Sequence, residues 1–224
     1  MSSATRQIDP EATRREILDA AQTLFIEKGF AGTSINAVAK EAGVTKSLIF
    51  HHFGTKENLW SQMAERLYQK YHDQQMELFK DEPSVEETLV ASIRWHFNFL
   101  REHPAALRLE MWEQLDNLPC KEKPDDVMRE GMKRFIWAQE NGVLREDVPP
   151  MIMMVAFLSL VRHWFFAKRS FGDFIEQYHS DLDDQQLDQL YLDSLIKIYL
   201  EGILPRTEPP PASAHPYTPP KKDE

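Results

Sequence analysis

Between Glu41 and Leu59 the chain reads EAGVTKSLIFHHFGTKENL. Several chemistries meet in this stretch. The hydroxyls of Thr45 and Ser47 flank the ammonium of Lys46, so three neighbouring groups can donate to carbonyl oxygens, ring nitrogens or phosphates. The imidazoles of His51 and His52 can bind a metal or carry protons. Metal binding needs converging ligands, and adjacent residues on a helix point about 100° apart. No third ligand lies at helical spacing, so no metal site is expected. Elsewhere there is no phosphate loop and no Ser-His-Asp order, and Cys120, between Pro119 and Lys121, has no evident base. Neither an enzyme nor a bound cofactor is expected.

The flanking residues say how this stretch is held. Ile17, Leu18, Ala21, Leu24 and Phe25 fall on one helical face, and Gly29 can stop that helix through a left-handed conformation. Thr33 or Ser34 can cap a second, short helix carrying Ile35, Val38 and Ala39. Gly43 breaks it, and Thr45 can cap a third helix running through His51. After the break at Gly54, Thr55 caps a fourth, although Asn58 stands where the Glu of a capping box is expected. Two short helices joined by Ala-Gly-Val have the spacing of a helix-turn-helix. Ile35, Val38, Val44, Ile49 and Phe53 can form its core. That leaves Thr45, Lys46, Ser47, Leu48, His51 and His52 as candidates to face outward.

Residues 13–60 resemble the DNA-binding domain of the tetracycline-repressor (TetR) family. The resemblance rests on REILDAAQTLFIEKGFAGTSINAVAKEAGVTKSLIFHHFGTKENL. In it a helix ends in a Gly-aromatic pair, followed by a Thr-Ser cap, an Ala-Gly-Val turn, a Thr-Lys recognition start, His-Phe and Thr-Lys-Glu. The resemblance implies that Thr45, Lys46 and Ser47 approach base edges or phosphates, that Thr33 and Lys56 meet phosphates, and that His51 reaches the backbone. Leu48 and Phe50 depart from the family's usual Thr and Tyr. Two hydroxyls are thereby lost, and Leu48 can instead meet a thymine methyl.

Charge supports this locally. The chain carries −10 overall, but residues 1–56 hold seven Lys/Arg against six Asp/Glu, a net of +1. A relatively basic end on an acidic body orients a protein on DNA and keeps non-specific affinity low.

The remainder reads as helix throughout, so the expected fold class is all-α: an N-terminal three-helix helix-turn-helix domain plus a larger helical domain for ligand binding and dimerisation. The boundaries are a flexible arm at 1–12, the helix-turn-helix domain at 13–55, the helical domain at 56–204 and a disordered, proline-rich tail at 205–224. The fourth helix is expected from about Lys56 to Phe79, ended by Asp-Glu-Pro-Ser. Further helices span Val85–Leu100, start at Pro104 and Pro124, and run over 150–168 and 183–204. The last two are the expected homodimer surface, as the family resemblance also implies. In the final helix Leu187, Tyr191, Leu195 and Ile198 form one face and Leu192, Ile196, Tyr199 and Ile203 another. His96 sits centrally on the apolar arc of its helix. With Trp95, Phe99, Trp112, Phe157 and His163 it is a candidate to bind a small hydrophobic or aromatic effector. The apolar run Val148–Val161 is too short to span a bilayer. The expected protein is cytoplasmic, without a membrane partner, and binds a double-stranded DNA operator. The alternative is a DNA-bound adaptor that acts through a protein partner without a small-molecule effector.

Overall fold

The structure, a computed structural model, describes residues 9–80, 84–116, 118 and 125–205. Most of the expected arm, the tail beyond Pro205, Cys120 and the helix start at Pro124 lie outside the described residues, as does most of the Asp-Glu-Pro-Ser stop. The described residues form ten helices and no strand. They group into two compact units. The first takes residues up to Lys70 together with 103–124, and the second takes Tyr71–Glu102 and the residues from Asp125 on.

The first unit contains α1 (Pro10–Gly32), α2 (Ile35–Glu41), α3 (Lys46–Phe53), the first part of α4 (Lys56–Leu78) and α6 (Pro104–Leu115). Asp9 caps α1 by accepting from the Glu11 amide, with Pro10 in the first turn. Ile17, Leu18, Phe25, Val38, Ile49, Phe53, Leu59 and Met63 are all nearly inaccessible. An eight-residue helix such as α3 is unstable alone in water. Burial of Ile49 and Phe53, each contributing about 1.5–3 kcal/mol, is what holds it. Thr55 caps α4 by accepting from the Asn58 amide at 3.1 Å, and Asn58 donates back to the Phe53 carbonyl at 2.7 Å. Asn58 thus ties the start of α4 to the end of α3 by donating, and the Thr55 amide, which a capping-box Glu would accept from, donates to the Phe53 carbonyl instead.

At Gly29, φ is 73° and ψ 175°, and α1 bends there. The reason for glycine is double. The backbone is left-handed, and a Cβ would stand 2.6 Å from the ring of Trp112 on α6. Trp112 donates through Nε1 to the Ile26 carbonyl, and Asp116 accepts from the Ala31 amide. The sequence reading left α6 outside the helix-turn-helix; in the structure it packs on the end of α1.

The second unit contains the rest of α4, α5 (Val85–Glu102), α7 (Asp125–Glu140), α8 (Pro150–Ser170), α9 (Gly172–His179) and α10 (Asp184–Ile203). Ser84 and Glu87 form a capping box that starts α5. Gly142 ends α7 with φ 71°. α8 packs on α5, α7 and α10. Trp164 stacks on Tyr191 at 4.1 Å, and its Nε1 donates to the buried Asp188, which also accepts from Lys168. Tyr199 donates to the Met153 carbonyl, and burial pushes its phenol well above the ordinary range.

Three expectations need correction here. α8 is 21 residues long because Trp164, Phe165, Phe166 and Ala167 continue the apolar run past Arg162 and His163. By length and composition it is therefore the one helix among the described residues that could cross a membrane. Five of its side chains, Met153, Met154, Phe157, Val161 and Trp164, are buried within the second unit. On α10, Leu195 belongs to the buried stripe with Leu192, Ile196, Tyr199 and Ile203, while the exposed apolar residues are Leu190 and Ile198. Finally, α9 was not anticipated. It has no buried residue, so it leaves no core-facing periodicity to read.

His72 on α4 lies 3.0 Å from Asp73 and 2.8 Å from Asp126 at the start of α7. Its hydrogen bonds to Asp126 and Asp73 raise its pKa above the ordinary 6.5, and the same contact with His72 lowers that of Asp126. The clasp therefore stabilises fully below pH 6.5 as far as His72 is concerned and is lost as pH rises through the raised value. Asp126 withdraws its share only in acid. A pair this exposed contributes about 0.2–1 kcal/mol. Melting temperature is expected to fall modestly as pH rises through neutrality, and His72→Gln is expected to flatten that slope.

Candidate nucleic-acid interface and ligand cavity

The outward face of α3 is set by its inward one. With Ile49 and Phe53 buried, Lys46, Ser47, Phe50 and His51 are exposed, and Leu48 and His52 half-exposed. Thr45 is the N-cap; its hydroxyl accepts from the Leu48 amide at 3.3 Å and lies 3.0 Å from the Ser47 hydroxyl. The two hydroxyls and the Lys46 ammonium thus lie together at the exposed start of the helix. Lys46 Nζ lies 5.7 Å from the Phe50 ring centre. Phe50 thereby offers Lys46 a cation–π surface without the hydroxyl that the family's more usual Tyr would add. No carboxylate occurs between Glu41 and Glu57, so nothing in this stretch competes with an approaching anion. Among the described residues no cluster of three potential metal-ligating side chains exists at His51 and His52 or elsewhere.

Lys56 is half-exposed at the start of α4, its Nζ 4.2 Å from the centre of the Phe30 ring. Burial lowers its pKa, while Glu57 and Asp116 pull it back up. A phosphate there would favour the charged form further.

Thr33 is different. Its side chain is buried, and its hydroxyl lies at hydrogen-bond distance from the carbonyls of Gly29 and Leu24, at 2.8 and 3.1 Å. The expected phosphate contact through Thr33 is therefore corrected: its hydroxyl braces the bend at Gly29. The cap of α2 is the exposed Ser34, which accepts from the Ala37 amide at 3.1 Å. A Thr-Ser pair offers two equivalent caps in sequence, and only the bend decides between them.

The second unit holds a partly open cavity of about 60 Å³ between α4, α5, α7 and α8, more than the roughly 10–15 Å³ one water requires. Its wall includes Tyr71, Gln75, Phe79, Leu89, Met128, Arg134, Phe135, Met154 and Phe157. Of the expected effector residues, Phe157 lines it. His96 and Phe99 are buried behind it, their rings 5.5 and 4.9 Å from that of Tyr71. Trp95 belongs instead to a separate groove with Gln74, Arg94 and Asn98. Trp112 lies in the first unit, and His163 is exposed on α8; neither lines the cavity. Gln75 and Arg134 were missed because polar residues on amphipathic helices read as solvent-facing.

The comparisons agree with this geometry. The family model for bacterial regulatory proteins of the tetR family matches residues 17–63, and that for the tetracyclin repressor-like C-terminal domain matches 92–187. The HTH-type transcriptional repressor SCO4008 of Streptomyces coelicolor is 30% identical over 145 residues, covering 63% of this chain and 72% of its own. The HTH-type transcriptional repressor AcnR of Corynebacterium glutamicum is 27% identical over 183 residues, covering 78% and 90%. A crystallised TetR family transcription regulator from Marinobacter aquaeolei superposes with a TM-score of 0.65 at 15% identity, covering 88% of this chain and 97% of that one. The chain belongs to the TetR family of DNA-binding transcriptional regulators. Its relatives are regulators and not enzymes.

Proposed function

We propose that the protein is a cytoplasmic repressor that binds a palindromic operator as a homodimer and is released by a small, mainly hydrophobic effector. The observation that carries this is the exposed, carboxylate-free start of α3, where Thr45, Lys46 and Ser47 stand together. Both curated relatives described above are repressors. One helix-turn-helix discriminates poorly, and two on a palindrome roughly double the free energy of specificity.

Exposed Met151, Ile152, Val155 and Leu160 on α8, with Leu190 and Ile198 on α10, support the dimer. Ile198 is 66% exposed. Ile198→Glu is expected to leave the helical content intact, to give monomers in sedimentation at micromolar concentration, and to weaken operator binding. A dimer that persists unchanged would remove α10 from the proposed interface.

The cavity favours a ligand over the adaptor reading, which calls for a filled helical unit. α4 is the proposed lever. Leu59, Trp60 and Met63 belong to the core of the first unit, and Tyr71 and Gln75 of the same helix line the cavity. A ligand that shifts α4 changes the spacing of two recognition helices, which must match one turn of DNA, roughly 34 Å. Linkage then requires operator DNA to weaken effector binding by the same factor. Selection of bound sequences from random duplex DNA tests the whole reading.

A further inference from the structure

The cavity wall holds a polar group with nothing to bind. Gln75 is 2% exposed, and its Nε2 has no hydrogen-bond partner among the described residues. A buried donor left unmet is destabilising, so a chain that keeps glutamine here gains when something accepts from it. The rest of the wall is carbon, apart from Thr88, Ser92, Arg134 and the Tyr71 hydroxyl. The Thr88 hydroxyl already donates to the Ser84 carbonyl.

Among the described residues, Arg134 is the only charged one lining the cavity. Its guanidinium donates to the Phe79 carbonyl, lies over the Phe79 ring at 4.9 Å, and has Glu130 3.8 Å from Nε. Its Nε makes no hydrogen bond among the described residues, and Glu130 balances its charge only through space. An anionic ligand head would compete with Glu130 for this one guanidinium and leave the buried group of charges net negative, which burial penalises. A neutral acceptor carries no such penalty.

On the reading that this cavity binds the effector, we propose that the effector is an apolar molecule bearing one neutral carbonyl group (a ketone, ester, lactone or amide) which accepts from Gln75 Nε2. Met128 and Met154 at the cavity edge can move aside for bodies of different shape. Gln75 is the residue that selects the head, and the carbon wall selects the body.

Three probes of the same shape test this by calorimetry on the full chain: 4-phenylbutan-2-one, 3-phenylpropanoate and butylbenzene. The ketone is expected to bind about tenfold more tightly than butylbenzene, and the carboxylate more weakly than the ketone. Gln75→Met keeps an unbranched side chain of similar length and is expected to abolish the ketone preference while retaining butylbenzene. Gln75→Leu serves as a second variant if the first loses its helical circular dichroism. Butylbenzene bound as well as the ketone, the carboxylate bound best, or a ketone preference that survives both substitutions overturns the inference and leaves the apolar cavity standing. Failure of all three probes to bind folded wild-type protein overturns the cavity reading itself, and the inference with it.

Discussion

Gly29→Ala is expected to destabilise the chain by about 2–6 kcal/mol, from a strained backbone and an overpacked contact of roughly 1–3 kcal/mol each. The backbone at Gly29 has φ 73°, and any Cβ meets the Trp112 ring at 2.6, 2.8 and 2.9 Å. Neither side can yield cheaply. The Trp112 ring is tethered through Nε1 to the Ile26 carbonyl, and the Gly29 carbonyl is tied to the Thr33 hydroxyl. Against a typical total stability of about 5–15 kcal/mol this is a large loss. Urea denaturation followed by circular dichroism measures it. A double-mutant cycle separates the two causes, because in a Trp112→Leu background the ring is gone and only the backbone strain of Gly29→Ala remains. The two substitutions are expected to couple by at least about 1 kcal/mol. Strict additivity would show that α6 does not press on the bend.

Lys46→Ala is expected to weaken operator binding without altering stability. A contact of lysine with a guanine edge is worth about 1–3 kcal/mol of discrimination. A dimer loses it twice, so affinity falls by roughly 30-fold to 10⁴-fold if the two sites act independently. Lys46 is exposed and supports no core residue, so its removal is expected to change stability by under about 0.5 kcal/mol. Salt dependence then separates base from phosphate. Loss of a phosphate contact flattens the plot of log affinity against log salt by about 0.9 per contact and weakens all sequences alike. Loss of a base contact leaves the slope and relaxes preference at one position. Unchanged operator affinity would remove Lys46 from the interface.

These cases also show what could be read from residues alone. The helix-turn-helix was legible because its signals are local. Gly29 and Gly43 need positive φ, Ser34, Thr45 and Thr55 cap the next helix, and Ile49 and Phe53 face inward at helical spacing. Thr33 was misread because only the three-dimensional bend shows that its hydroxyl is occupied. Trp112 and His163 were misread because an aromatic ring on a helix does not reveal which neighbour covers it. Trp112 closes on Gly29, more than 80 residues earlier, and His163 points to solvent. Gln75 was invisible for the opposite reason. A glutamine among Asp73, Gln74 and Glu77 looks like a solvated face, and only the packing of four helices buries it. The acid-free start of α3 was plain in the sequence, whereas the role of Phe50 beneath Lys46 required coordinates.

The most direct test of the account is selection of bound sequences from random duplex DNA by the purified, folded protein. The account predicts one enriched palindrome with half-sites centred about one helical turn apart, bound more weakly and with relaxed preference at one position of each half-site on Lys46→Ala. Folded protein that enriches no motif, or only a single unrepeated half-site, would contradict it.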